Sequence, residues 1–212
     1  KVFSGTRLEK LRYGENPHQK SSLYINDLAN DDLGLVKISG KELSYNNYND
    51  IFAALTISKS LPKNTGTVIV KHANPCGVSI HKNNLKSFKS ALACDPISAF
   101  GGIVSCNFKI KKDVAKELNK IFLEVIVANG FDKNALQILK RKKNLRLIDS
   151  SNFSSSQILK SNSFYDSILV QSEDKNVFSK KDFKIVSKKK PSKSQFDDLI
   201  FAFNVCRFVK SN

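Results

Sequence analysis

The chain has 212 residues, 41% of them hydrophobic, enough for one sizeable domain or two small ones around a packed core. With no apolar run near the roughly 18 residues of a membrane helix and no basic-then-apolar leader, it reads as a soluble, cytoplasmic protein with no membrane partner. The formal charge of +16 comes from 35 basic and 19 acidic residues, but the lysines are scattered and lack the arginines and interleaved aromatics of a nucleic-acid face, so small anionic substrates are expected rather than nucleic acid.

Residues 1–20 read as a polar, irregular arm centred on "LRYGENPHQ". Residues 48–61 place Ile51, Ala54, Leu55 and Ser58 at helical spacing. "TGTVIVKH", residues 65–72, is a buried strand, and Pro75 and Gly77 in the following "NPCG" read as a turn. A helix over 84–95 puts Leu85, Phe88, Ala91 and Leu92 on one face. Strands are expected at 101–107, 124–128 and 145–149, with helices at 112–122 and 132–142, the latter starting near Asp132. Residues 150–165, rich in Ser and Asn, read as a surface loop, and 166–171 as a strand. The last helix, 191–210, opens with a capping box at Ser192 and Gln195 and shows Phe196, Leu199, Ile200 and Phe203 on its apolar face. Repeated strand–helix alternation predicts an α/β sheet with helices on its faces. Cys76, Cys94, Cys106 and Cys206 form no C-x-x-C pair and are expected to be free, small and buried.

The stretch "VIVKHANPCG" raises the chemical question. A buried strand ends in Lys71 and His72, and ligands of open α/β sheets sit beyond the carboxyl ends of strands. His72 can act as a base near neutral pH, and Lys71 can supply positive charge where negative charge develops. A surface lysine beside a hydrogen-bonded structural histidine explains the same residues, and both readings stand at this point. Zinc is not expected. In a nucleobase deaminase the catalytic Glu would stand at Asn74, and Cys76 has no partner three residues on. Arg12 can grip a phosphate while Tyr13 stacks on a ring, or the arm is docked by Tyr13. Phe100 precedes Gly101 in "SAFGGIVS", where a ligand can lie against the backbone, although a tight loop explains the glycines equally well.

Taken together and in order, "LRYGENPHQ", "GKELSYNNYND", "VIVKHANPCGV", "DPISAFGGIV", "EVIVA" and "FVKSN" resemble the transformylase domain of the AICAR transformylase/IMP cyclohydrolase family. The resemblance implies a cytidine-deaminase-like α/β fold, a three-layer sheet with helices on both faces and no zinc. It implies formyl transfer from 10-formyltetrahydrofolate to the 5-amino group of AICAR, with no metal, in a homodimer that is also an IMP cyclohydrolase. By the same resemblance Lys71 and His72 are catalytic, and Arg12, Tyr13, Phe100, Gly101, Glu124 and Asn212 bind the nucleotide. Lys143 matches a lysine near the folate. The chain starts with Lys1 and contains no Met, so it reads as a piece of a longer protein. Residues 1–20 are then the arm with the nucleotide motif, and 21–212 the first part of the transformylase domain. The cyclohydrolase domain and the rest of the transformylase domain are absent, and such a fragment is expected to be inactive alone. The alternatives are a basic nucleic-acid-binding domain and a catalytically inactive structural domain.

Overall fold

Short apolar runs form the centre of the sheet. The computed structural model describes residues 4–26, 32–154 and 159–210. The chain divides into two compact units, the first built on Lys1–Ser154 and the second on Ser155–Ser211. In the first unit the elements are β1 (Gly5–Lys10), β2 (Ser22–Asn26), β3 (Val36–Ser39), α1 (Tyr45–Ser60), β4 (Gly66–Lys71), β5 (Asn74–Ile80), α2 (Asn84–Cys94), β6 (Ile103–Cys106), α3 (Lys112–Leu118), β7 (Val125–Ala128), α4 (Lys133–Leu139) and β8 (Arg146–Asp149).

Six strands make one mixed sheet in the order β3-β8-β7-β6-β4-β5. The three strands β6, β7 and β8 are parallel, while β3, β4 and β5 each run antiparallel to a neighbour. Both faces of β6 and β7 are covered, which is why "IVSC" and "VIVA" are unbroken apolar or small runs rather than alternating ones. Ile69, Val104, Ile126 and Leu147 pack under α2, α3 and α4 with Phe88, Ala91, Val114, Leu118, Ala135 and Leu139. Each buried Val, Leu, Ile or Phe among them contributes about 1.5–3 kcal/mol. On the opposite face α1 lies against β4, β6 and β7, and Ser105 on β6 bonds Ser58 on α1 at 2.9 Å.

α1 begins at a reciprocal capping box. Ser44 Oγ accepts the Asn47 N–H, and Asn47 Oδ1 accepts the Ser44 N–H. At its other end the buried Asn107 side chain donates to the carbonyls of Ser58 and Pro62 and accepts the amides of Thr65 and Gly66. One side chain thus stops the helix and starts β4. Asp132 is the N-cap of α4, taking the Ala135 amide at 2.6 Å.

The second unit contains a hairpin, β9 (Leu159–Phe164) and β10 (Ser167–Ser172), a short 3₁₀ turn at Lys180–Asp182, and α5 (Lys193–Cys206). The capping box of Ser192 and Gln195 is present. Phe203 meets Phe178 and Phe183 edge-on, at 5.1 and 5.0 Å between centroids. No residue of α5 is buried within this unit, and Leu199 is 58% exposed.

Several expectations are corrected. The arm is not irregular throughout, because β1 pairs with β2. The loop expected at 150–165 contains the whole of β9. The helices expected at 112–122, 132–142 and 191–210 end earlier, at Leu118, Leu139 and Cys206. All four cysteines are free, but only Cys106 is buried; Cys94 and Cys206 are exposed. The largest correction concerns "NPCG", which is strand rather than turn. Pro75 is tolerated because β5 is an edge strand, where a missing N–H breaks no ladder on its outer side. Gly77 is required because a Cβ there would collide with the Ala91 carbonyl of α2.

Candidate active site

β4 ends at Lys71, and the chain reverses at once. Lys71 pairs with Asn74, so His72 and Ala73 alone make the turn. Their φ angles are 54° and 57°, the signature of a type I′ hairpin turn. Such turns favour Asn-Gly, because a Cβ in the left-handed region costs about 1–2 kcal/mol per residue. Here two residues with side chains are held in it, and His72 stands exposed at the apex. Strain of this kind collects where a side chain must be presented.

Asp50, in the second turn of α1, lies beside this reversal. Its Oδ1 accepts the Ala73 N–H at 2.7 Å, and the His72 amide also acts on the carboxylate. Burial pushes the Asp50 carboxyl above its usual range, the two amides and His72 oppose that rise, and Glu124 adds to it.

Lys71 reaches sideways. Its Nζ donates to the Phe100 carbonyl at 2.9 Å. The loop it holds runs Phe100-Gly101-Gly102, and the two glycines serve different needs. Gly101 has φ of 73°, while a Cβ on Gly102 would press on the Val70 carbonyl at 2.9 Å. The Phe100 ring packs on Phe122 at 5.1 Å and remains 61% exposed.

Strand register assembles the rest. Val70 is opposite Ile103, Ile103 opposite Val125, and Val125 opposite Arg146. One step outward, the rim row is Lys71, Gly102, Glu124 and Leu145. Glu124 N donates to Gly102 O at 3.1 Å, and Arg146 N to Glu124 O at 3.1 Å, closing the rim with backbone bonds. The Glu124 carboxylate accepts Asn47 Nδ2 at 2.8 Å and lies 3.7 Å from Arg146 Nη1. Arg146 is anchored by the Glu42 carbonyl, at 3.2 Å from Nε and 3.1 Å from Nη2. Its pKa is lowered by burial, an effect that Glu124 opposes and Arg12 reinforces.

Arg12 and Tyr13 join this rim through the start of α1. Arg12 N donates to Leu43 O and Tyr45 N to Tyr13 O, both at 3.0 Å. The Arg12 guanidinium lies over the Tyr13 ring at 5.1 Å. Lys71, His72, Phe100, Gly101 and Glu124 therefore come to one rim, with Arg12 and Tyr13 tied to its neighbour. Lys143 is an exposed residue of the turn that leads into β8, two residues before Leu145 of the rim row, and Asn212 lies outside the described residues. Among the described residues no three of His, Cys, Asp and Glu converge as a metal site requires.

The rim is at the carboxyl end of β4 but at the amino ends of β6, β7 and β8, because β4 runs against them. The strand-end rule thus places Lys71 and His72 while misplacing the parallel strands. Their carboxyl ends lead instead to a shallow recess lined by Lys111, Lys112, Asp113, Lys116 and Asp132. Sequence reasoning missed Asn47, Asp50 and Arg146. A signal existed for Asn47 alone, which falls four residues before Ile51 on the apolar stripe of α1.

Comparison with known proteins agrees with the motifs. A family model described as the AICARFT/IMPCHase bienzyme matches residues 1–212. The bifunctional purine biosynthesis protein PurH of Aquifex aeolicus is 43% identical over 209 residues, covering 97% of this chain and 40% of the relative. That of Rhodospirillum rubrum is 42% identical over 214 residues, covering 100% and 40%, and that of Leptospira biflexa 40% identical over 212, covering 100% and 41%. The chain spans about two fifths of the length of these curated relatives. With the match running through every motif that builds the rim, the chain belongs to the AICARFT/IMPCHase bienzyme family.

Proposed function

We propose that the full-length protein is an AICAR formyltransferase of purine biosynthesis that also carries IMP cyclohydrolase activity. The observation that carries this reading is the rim itself: Lys71, His72, the Phe100–Gly101 backbone and Glu124 in one place, on a chain of this family. The 5-amino nitrogen of AICAR attacks the formyl carbon of 10-formyltetrahydrofolate. A carbon–nitrogen bond forms, the amine proton passes to His72, and the carbonyl electrons move onto oxygen. When the carbonyl re-forms, the bond to folate N10 breaks and the proton held on His72 passes to N10.

Lys71 has three N–H donors and spends one on Phe100 O, which aims the ammonium and leaves two for the developing oxyanion. Arg12 and Tyr13 hold the nucleotide, with Phe100 against its base, Gly101 offering backbone, and Glu124 receiving ribose hydroxyls. Asn212 orients the substrate amide, and Lys143 faces the folate side. The same reading implies the cytidine-deaminase-like fold without zinc, a homodimer, a cytoplasmic location and no nucleic-acid partner. It also makes residues 21–212 the first part of the transformylase domain and 1–20 its nucleotide-binding arm.

In the full-length enzyme, His72→Ala should lower kcat by about 10²–10⁴-fold, the range of general acid–base catalysis. AICAR affinity should fall far less, because the proton moves only in the transition state. Tetrahydrofolate release and nucleotide binding measure the two separately. A folded His72→Ala variant with near-parental turnover overturns the assignment.

A further inference from the structure

We propose that Asp50 is a positioning residue for formyl transfer, holding the His72–Ala73 turn in its left-handed conformation so that the imidazole is presented to the substrate. The inference rests on the proposed role of His72 and adds a residue to it. Three observations carry it. The turn contains two consecutive non-glycine residues at positive φ, so local preference does not hold it. The Ala73 amide at its centre has its partner in Asp50 Oδ1, 2.7 Å away and 23 residues distant in sequence. Asp50 sits on a helix whose start is fixed by a reciprocal capping box and whose inner face packs on β4, so the acceptor has a rigid base.

The contact is with backbone, so Asp50 acts through His72 and not on the substrate. The Ala73 N–H points away from the hairpin's own ladder, as the inner amides of a two-residue turn must, and needs a buried acceptor from elsewhere. A carboxylate is the strongest uncharged-donor acceptor available among side chains. Without it the turn is free to relax toward conformations that Ala and His prefer, and His72 moves relative to Lys71.

The test uses the full-length enzyme with Asp50→Ala, Asp50→Asn and the double variant Asp50→Ala/Ala73→Gly, each checked for folding by circular dichroism. Asp50→Ala should lower kcat by about 10- to 100-fold with little change in the AICAR KM, since a small misplacement of a catalytic group has that scale. Asp50→Asn keeps Oδ1 as an acceptor and should stay within about threefold of the parent. Adding Ala73→Gly to Asp50→Ala should raise kcat again by about fivefold or more, because glycine adopts positive φ without penalty. A merely structural role would not produce that rescue.

The proposal is overturned if folded Asp50→Ala keeps parental kcat, or if the glycine restores nothing. If Asp50→Ala does not fold, Asp50→Asn decides: retained turnover supports the hydrogen bond, and a loss as deep as that of His72→Ala overturns it. Hydrogen exchange at the Ala73 amide reads the contact without turnover. It should be slow in the parent and fast in Asp50→Ala, and equal rates overturn the proposal. An inactive parent, or an indifferent His72→Ala, would instead sink the functional reading and leave the exchange result standing.

Discussion

At Asp50 two requirements oppose each other. The turn amides attract a carboxylate, while burial disfavours its charge, and burial is the larger effect. A carboxyl whose folded pKa is raised contributes stability that is fully present below its unfolded pKa of 3.8 and lost as pH rises through the folded value. Asparagine has no such dependence. Asp50→Asn should therefore have a higher Tm relative to the parent at about pH 7 than at about pH 3.5, the gap closing as pH falls. Thermal melts of both proteins across that range test it, and a gap that widens toward acid contradicts it. Lys71 and His72 were legible in the sequence because a cation and an imidazole at the end of an apolar strand are out of place. Asp50 was not, because an acidic residue near a helix N-terminus reads first as a solvated partner of the helix dipole. Only the fold reveals that a turn from another element lies against it.

Among elements, the parallel strands were readable and β5 was not. "IVSC" and "VIVA" between helical patterns announce buried parallel strands. In "NPCGVSI" the proline and glycine are the residues that ordinarily mark a turn, yet each answers to a neighbour: Pro75 to an open sheet edge and Gly77 to α2. Opposite β4, Ile69 faces Gly77 and Val70 faces Pro75, so Cys76 is an extra residue in the strand, a bulge that bends it. Gly77→Ala should destabilise the protein by about 1–3 kcal/mol, since backbone must move to admit the methyl group. Urea denaturation measures this; an unchanged midpoint would show that α2 and β5 separate freely. The end of α3 was misjudged because Ile121 and Phe122 continue the apolar pattern beyond Leu118, yet they pack on the core and on Phe100 from outside the helix.

For the molecule as a whole, the two units differ in how they bury themselves. The first closes a layered core around its sheet. The second leaves Ile168, Leu169 and Val170 exposed along β10, with Leu199 and Phe203 exposed on α5. A two-stranded hairpin with so little packed against it is marginal in water, and apolar side chains exposed in such number are covered in most stable proteins. The 212-residue chain alone should self-associate at micromolar concentration, and Leu169→Lys with Phe203→Lys should reduce that association while leaving the first unit folded. Sedimentation velocity over a concentration series decides, and a clean monomer throughout contradicts the expectation. Sequence periodicity found the apolar face of α5, but periodicity reports only that a face wants cover and does not say what provides it.

The two-residue reversal after β4 also limits how the gene can vary in length. One codon added between His72 and Asn74 would either widen the reversal to three residues, losing the turn that presents His72, or advance β5 by a residue against β4 and exchange its two faces. In the second case a side chain would occupy the place of Gly77 beside Ala91. The exposed lysines at 188–190 meet no such coupling, and an added codon there changes only the length of a solvated stretch. Length polymorphism should accordingly gather in that stretch and be purged from the hairpin.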